Sequence, residues 1–92
     1  MNEEQKEMLQ VIILQVCQAS KPVSVPVSRI MNAAKMGGFQ NLENNDLAKR
    51  LRYLEAHKMI EREDRAISKA VDRYLITQAG TAYLDENFLM PD

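Results

Sequence analysis

Apolar residues recur at helical spacing near the start of the chain and cover well over half of the circumference of the helix they predict. They are Met8, Leu9, Val11, Ile12, Ile13, Leu14, Val16 and Cys17. Asn2 and Gln5 have the spacing of a capping box, which places this first helix at about 3–19. A helix with so wide an apolar surface needs to be covered on two sides, and another subunit is a candidate for the second cover.

Two prolines end the first helix and precede a second one, predicted at about 25–36. We expect Ser24 to be the N-cap of this helix and Pro26 to fit into its first turn. One side of the helix carries the apolar residues Val27, Ile30, Met31 and Ala34. Gly37-Gly38 then supplies the left-handed residue that commonly ends a helix.

A third helix is predicted at about 45–58, with Asn44 or Asn45 as its cap. Its apolar seam consists of Leu47, Leu51 and Leu54. At 100° per residue, the side broadly opposite this seam carries Asn45, Lys49, Arg52 and Tyr53, with Asp46 and Arg50 on the flanks. The seam therefore predicts which side chains of the third helix face solvent.

The pattern changes to that of two short strands around a polar loop, which predicts a β-hairpin at about 60–76. Thr77 is expected to cap a last helix at about 78–88, and Gly80 in its first turn indicates a close backbone contact there. The order of elements is helix, helix, helix, strand, loop, strand, helix. We therefore expect a mainly helical α+β fold in one domain, residues 1–92.

Two segments resemble the winged helix-turn-helix transcription regulators of bacteria and phages, such as those of the MarR, PadR and ArsR types. Residues 47–62 look like a recognition helix that runs into the first strand of the wing, and residues 74–80 (YLITQAG) are similar to the step from the second wing strand into the closing helix. Members of these families often have glycine where His57 or Lys58 stands here. The resemblance implies a winged helix, with a three-helix core, a two-stranded β-hairpin wing and a C-terminal helix.

The resemblance also implies a function, namely sequence-specific binding of double-stranded DNA by a small transcription regulator. The third helix would lie in the major groove and the wing would contact the backbone, in a homodimer formed through the first and last helices. Arginine and lysine pair with guanine edges, asparagine pairs with adenine, and the same cations hold phosphates. The expected DNA-binding residues are Asn44, Asn45, Lys49, Arg50, Arg52, Tyr53, Arg62, Arg65 and Lys69.

The distribution of charge supports DNA binding in only one part of the chain. The whole chain of 92 residues has a formal net charge of −1, so no global field draws it to nucleic acid or to a membrane. Residues 44–73 hold eight basic and six acidic side chains, a balance of +2, whereas the remainder has a balance of −3. The cations of the third helix can equally form an ordinary solvated face, and Arg65 and Lys69 can serve only to keep a hairpin tip soluble.

Composition argues against other classes of protein. A single cysteine excludes an intrachain disulfide, and one histidine with one cysteine cannot form a tetrahedral zinc site without several carboxylates. No nucleophile stands near the histidine in sequence, and Gly37-Gly38 lacks the Lys-Ser/Thr of a phosphate-binding loop, so we expect neither an enzyme nor a cofactor. The longest apolar run, Val11–Leu14, is far too short to span a bilayer, and the acidic N-terminus does not resemble a secretory signal, so a cytoplasmic location without membrane contact is expected.

An alternative function remains open on the sequence. The same fold can serve as a protein–protein interaction module without DNA binding, with the wide apolar first helix as its docking surface. The near-neutral net charge and the acidic residues Glu63, Asp64 and Asp72 beside the wing favour this alternative.

Overall fold

A computed structural model describes residues 2–63 and 72–87 and has the expected mainly helical α+β class. Within these residues, four helices accompany one three-stranded antiparallel sheet with strand order β1-β3-β2. The elements are α1 (Glu3–Ser20), β1 (Val25–Pro26), α2 (Val27–Met36), α3 (Asn44–Ala56), β2 (Ile60–Glu63), β3 (Arg73–Ile76) and α4 (Gln78–Asn87). In the described part of the chain, no helix combines the length and the apolar character needed to cross a membrane.

The start of α1 confirms the predicted capping box. The Asn2 side chain accepts a hydrogen bond from the Gln5 backbone N–H at 2.8 Å, and the Gln5 side chain accepts one from the Asn2 backbone N–H at 3.1 Å. The capping box thereby satisfies two backbone N–H groups at the start of α1, which have no carbonyl partner within the helix.

The segment before α2 differs from its prediction, because Ser24 does not cap the helix and the helix does not begin at residue 25. Val25 and Pro26 instead form β1, which pairs with Tyr74 and Arg73 of β3, and Pro26 is the N-cap of α2 without a side-chain hydrogen bond. The buried Ser24 is held by Arg73, whose Nε donates to Ser24 Oγ and whose Nη2 donates to the Ser24 carbonyl, both at 2.9 Å. Proline fits this position because an edge strand does not need its missing N–H.

The ends of α2 and α3 have the same geometry. Phe39 N–H donates to the Ala34 carbonyl after α2, and Met59 N–H donates to the Leu54 carbonyl after α3, as in a Schellman motif. The left-handed residue of the motif is Gly38, with φ 116°, after α2 and Lys58, with φ 60°, after α3. The predicted glycine stop of the second helix is confirmed, and the third helix ends earlier than the expected residue 58.

The beginning of α3 also differs from its prediction. Neither Asn44 nor Asn45 is the cap, because Glu43 holds the N-cap position without a side-chain hydrogen bond and the two asparagines are the first two helical residues. The backbone N–H groups of Asp46 and Leu47 bond to the Glu43 carbonyl, so the helix begins one residue before the predicted start.

Strands β2 and β3 pair antiparallel, with Ile60 opposite Ile76 and Glu63 opposite Arg73, as expected for a hairpin. The middle of the predicted hairpin, residues 64–71, lies outside the described residues. Thr77 caps α4, since its Oγ1 accepts a hydrogen bond from Gly80 N–H at 3.1 Å and its hydroxyl donates to the Lys58 carbonyl at 2.6 Å.

The predicted close approach at Gly80 is confirmed. A Cβ atom there would collide with the Met59 carbonyl oxygen and would lie 2.8 Å from the Ile76 side chain. Glycine therefore permits the first turn of α4 to lie directly against the chain that leads into β2.

The core lies around α1, which contacts α2, α3, α4 and β3. Its buried side chains come from every helix and from all three strands. They are Leu9, Ile13, Leu14, Cys17, Val25, Ile30, Met31, Ala34, Leu42, Leu47, Leu51, Leu54, Ile60, Tyr74, Ile76 and Leu84. One side of α1 is thus covered within the chain, while Met8 on another side is 56% exposed.

Candidate nucleic-acid interface

The outer face of α3 has the arrangement that the leucine seam predicts. Leu47, Leu51 and Leu54 are at most 3% exposed, and they attach α3 to the core. Asn45, Lys49 and Arg52 project from the opposite side and are exposed. The two carboxylates within α3 lie off this face and are half-buried, so the face itself carries two cations and an amide.

Arg50 and Tyr53 belong to a different side of α3. The Arg50 guanidinium carbon lies 4.9 Å from the centre of the Tyr53 ring, a cation–π distance, and the Tyr53 ring centre lies 4.2 Å from that of His57. Arg50 and Tyr53 line a groove of about 350 Å³ together with Glu7 of α1 and Tyr83 of α4. Arg50 is half-buried there and is therefore less free to reach DNA than the sequence suggests.

Asn44 is exposed at the first position of α3 and lies about 100° around the helix from Asn45. By the same rotation it lies within about 20° of Leu51, on the seam side of α3 and not on the outer face. Asn45 is thus the asparagine that the helix places beside Lys49, one turn along, and only this one shares a face with the exposed cations.

Arg62 lies on β2 and is exposed. Its Nη1 is 4.0 Å from Asp72 Oδ1, and both side chains are about half exposed, so this surface ion pair restrains Arg62 only weakly. Burial raises the pKa of the nearby Tyr74 hydroxyl, as do the carboxylates of Asp72 and Glu55, whereas Arg62 and Arg52 lower it.

The three remaining basic residues to consider are Arg73, Arg65 and Lys69. Arg73, one of the eight basic residues in the 44–73 segment, is occupied by its two hydrogen bonds to Ser24 and holds β1 against β3. Sequence spacing could not reveal this contact, because the partners are 49 residues apart. The predicted site residues Arg65 and Lys69 lie outside the described residues.

No group of three or more His, Cys, Asp or Glu side chains is placed to hold a metal ion in residues 2–63 and 72–87. Comparison of the chain with protein-family models, with curated proteins and with solved structures found no match.

Proposed function

We propose that the chain is a winged-helix transcription regulator that binds double-stranded DNA in a sequence-specific manner. The observation that carries this proposal is the outer face of α3, where Asn45, Lys49 and Arg52 are exposed opposite a buried leucine seam. The order of helices, paired strands and closing helix agrees with the winged helix that the sequence resemblance implies.

The dimensions of α3 suit the major groove. Its 13 residues make a rod about 20 Å long, and a B-DNA major groove about 12 Å wide admits an α-helix. In this arrangement Lys49 and Arg52 contact guanine edges or phosphates, and Asn45 near the N-terminus of the helix contacts adenine. Arg62 on β2 contacts the flanking backbone, and Arg50 stabilises the position of Tyr53 rather than reading a base.

Salt dependence of binding tests the electrostatic part of the proposal. If Lys49, Arg52 and Arg62 each neutralise one phosphate, log K falls with log[salt] with a slope of about −2.7, which is about a 40-fold loss between 50 and 200 mM salt. The measurement is fluorescence anisotropy of a labelled random-sequence duplex at several salt concentrations. Additional cations of the wing would make the slope steeper.

Charge reversal on the outer face tests the site itself. We expect the double substitution Lys49→Glu and Arg52→Glu to weaken binding by about 100-fold, since each loses a contact and adds a repelled charge. The matched control is Lys21→Glu with Lys35→Glu, which changes the same number of exposed charges away from α3. Equal losses in both double variants, or no binding at 50 mM salt with tens of micromolar protein, would contradict the proposal.

Base reading by Asn45 can be separated from backbone contact. Selection of bound duplexes from a random pool would give the preferred sequence, and Asn45→Ala should relax the preference at one base pair, by about 1–3 kcal/mol. A uniform loss over all sequences would instead identify Asn45 as a phosphate contact. The homodimer that the resemblance implies stays a prediction, to be checked by sedimentation equilibrium of the free protein.

A further inference from the structure

A groove of about 450 Å³ runs along the side of α1 that the core does not cover. It follows α1 for three turns, from Glu4 to Gln15, which is about 16 Å. Met8, Val11 and Ile12 provide its apolar floor, and more of its surface is apolar than polar. The floor occupies a little over one turn in the middle of the groove, and the groove as a whole has the length of the contact surface of a short helix.

The two walls of the groove come from other helices. Gly37, the C-cap of α2, forms one wall, and a Cβ atom there would lie 2.8 Å from Ile12 Cδ1, so glycine permits α2 to end directly against α1. Tyr83 of α4 forms the other wall. Burial raises the pKa of the Tyr83 hydroxyl, and the Glu7 carboxylate raises it further, as expected if Glu7 stands beside this ring at the rim.

The rim of the groove is acidic. Glu4 and Glu7 line it and are exposed, and Glu86 is exposed one turn beyond Tyr83 on α4. No lysine or arginine lines the groove among the residues that the structure describes. Lys6 of α1 is instead engaged by Glu3, with its Nζ 3.6 Å from Glu3 Oε1.

We propose that this groove binds a basic amphipathic helix of a partner protein. Apolar residues of that helix at positions i, i+3 or i+4, and i+7 would cover Met8, Val11 and Ile12, and its lysines or arginines would face Glu4 and Glu7. A second copy of this chain fits the groove less well, because it would bring its own Glu4 and Glu7 to the same surface. The homodimer that the resemblance implies would therefore have to use other parts of the first and last helices and leave this groove open. The groove is distinct from the outer face of α3, so both surfaces can act in one molecule.

The first test uses a labelled 14-residue helical peptide with leucines at the spacing given above and lysines at the remaining positions. Fluorescence anisotropy with the full chain should show binding that falls with salt. The same peptide with glutamate for lysine should bind at least about ten-fold more weakly, because its charges then repel the rim. A peptide of the basic composition in scrambled order controls for attraction by charge alone. Equal affinity for the scrambled peptide, or no binding of the basic peptide at millimolar concentration, would overturn the proposal.

The second test changes the groove. Met8→Ser should weaken binding of the basic peptide by about five- to ten-fold, while Val23→Ser, an equally exposed position outside the lining, should leave it unchanged. Glu7→Lys should weaken binding and reduce its salt dependence, whereas Glu61→Lys, an exposed carboxylate on β2, should not. Equal losses at the groove and control positions would show that the peptide binds elsewhere.

A third measurement distinguishes a second copy as the occupant. The proposal would be overturned if sedimentation equilibrium showed a dimer that Met8→Ser dissociates and that addition of the basic peptide does not. The occupant of the groove would then be a second copy of the chain. The DNA proposal is tested independently, because Met8→Ser should leave the DNA affinity unchanged while the α3 double variant should leave the peptide affinity unchanged.

Discussion

Helices α1 and α3 each press one apolar face against the same core, but their other faces are opposite in character. The outer side of α1 carries a groove with an apolar floor at Met8, Val11 and Ile12 and an acidic rim at Glu4 and Glu7. The outer side of α3 is polar and carries Lys49 and Arg52 without a carboxylate. The comparison indicates that the inner faces of the two helices determine the stability of the fold. The outer faces differ in charge and polarity, so we expect them to bind chemically different partners.

The largest expected effects come from the inner faces, where the two helices should behave alike. Leu9 of α1 and Leu54 of α3 are both 0% exposed, so Leu9→Ala and Leu54→Ala should each lower the free energy of unfolding by about 2–5 kcal/mol. Urea denaturation followed by circular dichroism measures both. A loss below about 1 kcal/mol in only one of them would show that this helix is not part of the common core.

The next largest effect on stability is expected from the buried thiol of Cys17 in α1, which has no counterpart in α3. Burial raises the pKa of the Cys17 thiol from 9.0 to about 11, so the unfolded chain loses this proton at lower pH than the folded protein. The thiol's contribution is therefore fully present below pH 9 and is lost as the pH rises through 11, by on the order of 2–3 kcal/mol. The free energy of unfolding measured from pH 8 to 11 should fall more steeply for the natural chain than for Cys17→Ala, and identical slopes would contradict the prediction.

A smaller effect is expected where α3 ends. Lys58 takes the left-handed conformation that Gly38 takes after α2, and a residue with a Cβ is strained there. Lys58→Gly should raise the free energy of unfolding by about 0.5–1 kcal/mol, whereas Gly38→Ala should lower it by about 1–2 kcal/mol. Thermal and urea unfolding of the two variants would check both signs, and a destabilised Lys58→Gly would mean that the lysine makes a compensating contact.

The smallest effects on stability should come from the outer faces. Met8→Ser and Arg52→Glu alter exposed side chains, so each should change the free energy of unfolding by less than about 1 kcal/mol. The same two variants should nevertheless differ in binding, the first toward the basic peptide and the second toward DNA. A large loss of stability in either variant would assign that side chain to the core instead.

The sequence predicted the helices best where periodic apolar residues coincide with a local end signal. The Asn2–Gln5 capping box, the Thr77 cap and the glycine stop after α2 all depend on residues within a few positions of each other, and each is confirmed. The prediction for Ser24 was wrong although serine is a good N-cap. In the fold, Ser24 accepts two hydrogen bonds from the guanidinium group of Arg73, which is distant in sequence, and it does not cap the helix.

The candidate site was also predicted only in part from the sequence. The leucine seam was sufficient to orient Asn45, Lys49 and Arg52 outward, because a helix has a fixed rotation per residue. It did not reveal that Arg50 and Tyr53 face a groove shared with α1 and α4, since only the packing of three helices creates that groove.

The amino-acid sequence by itself determined the four helices, the hairpin and the polar side of α3, because these properties depend on short-range periodicity and capping. The tertiary structure alone decided that Val25–Pro26 forms a third strand and that Arg73 is held by Ser24. It also decided that α1, the end of α2 and α4 enclose an acidic-rimmed groove. Each of these features joins residues far apart along the chain, whose proximity arises only when the helices pack.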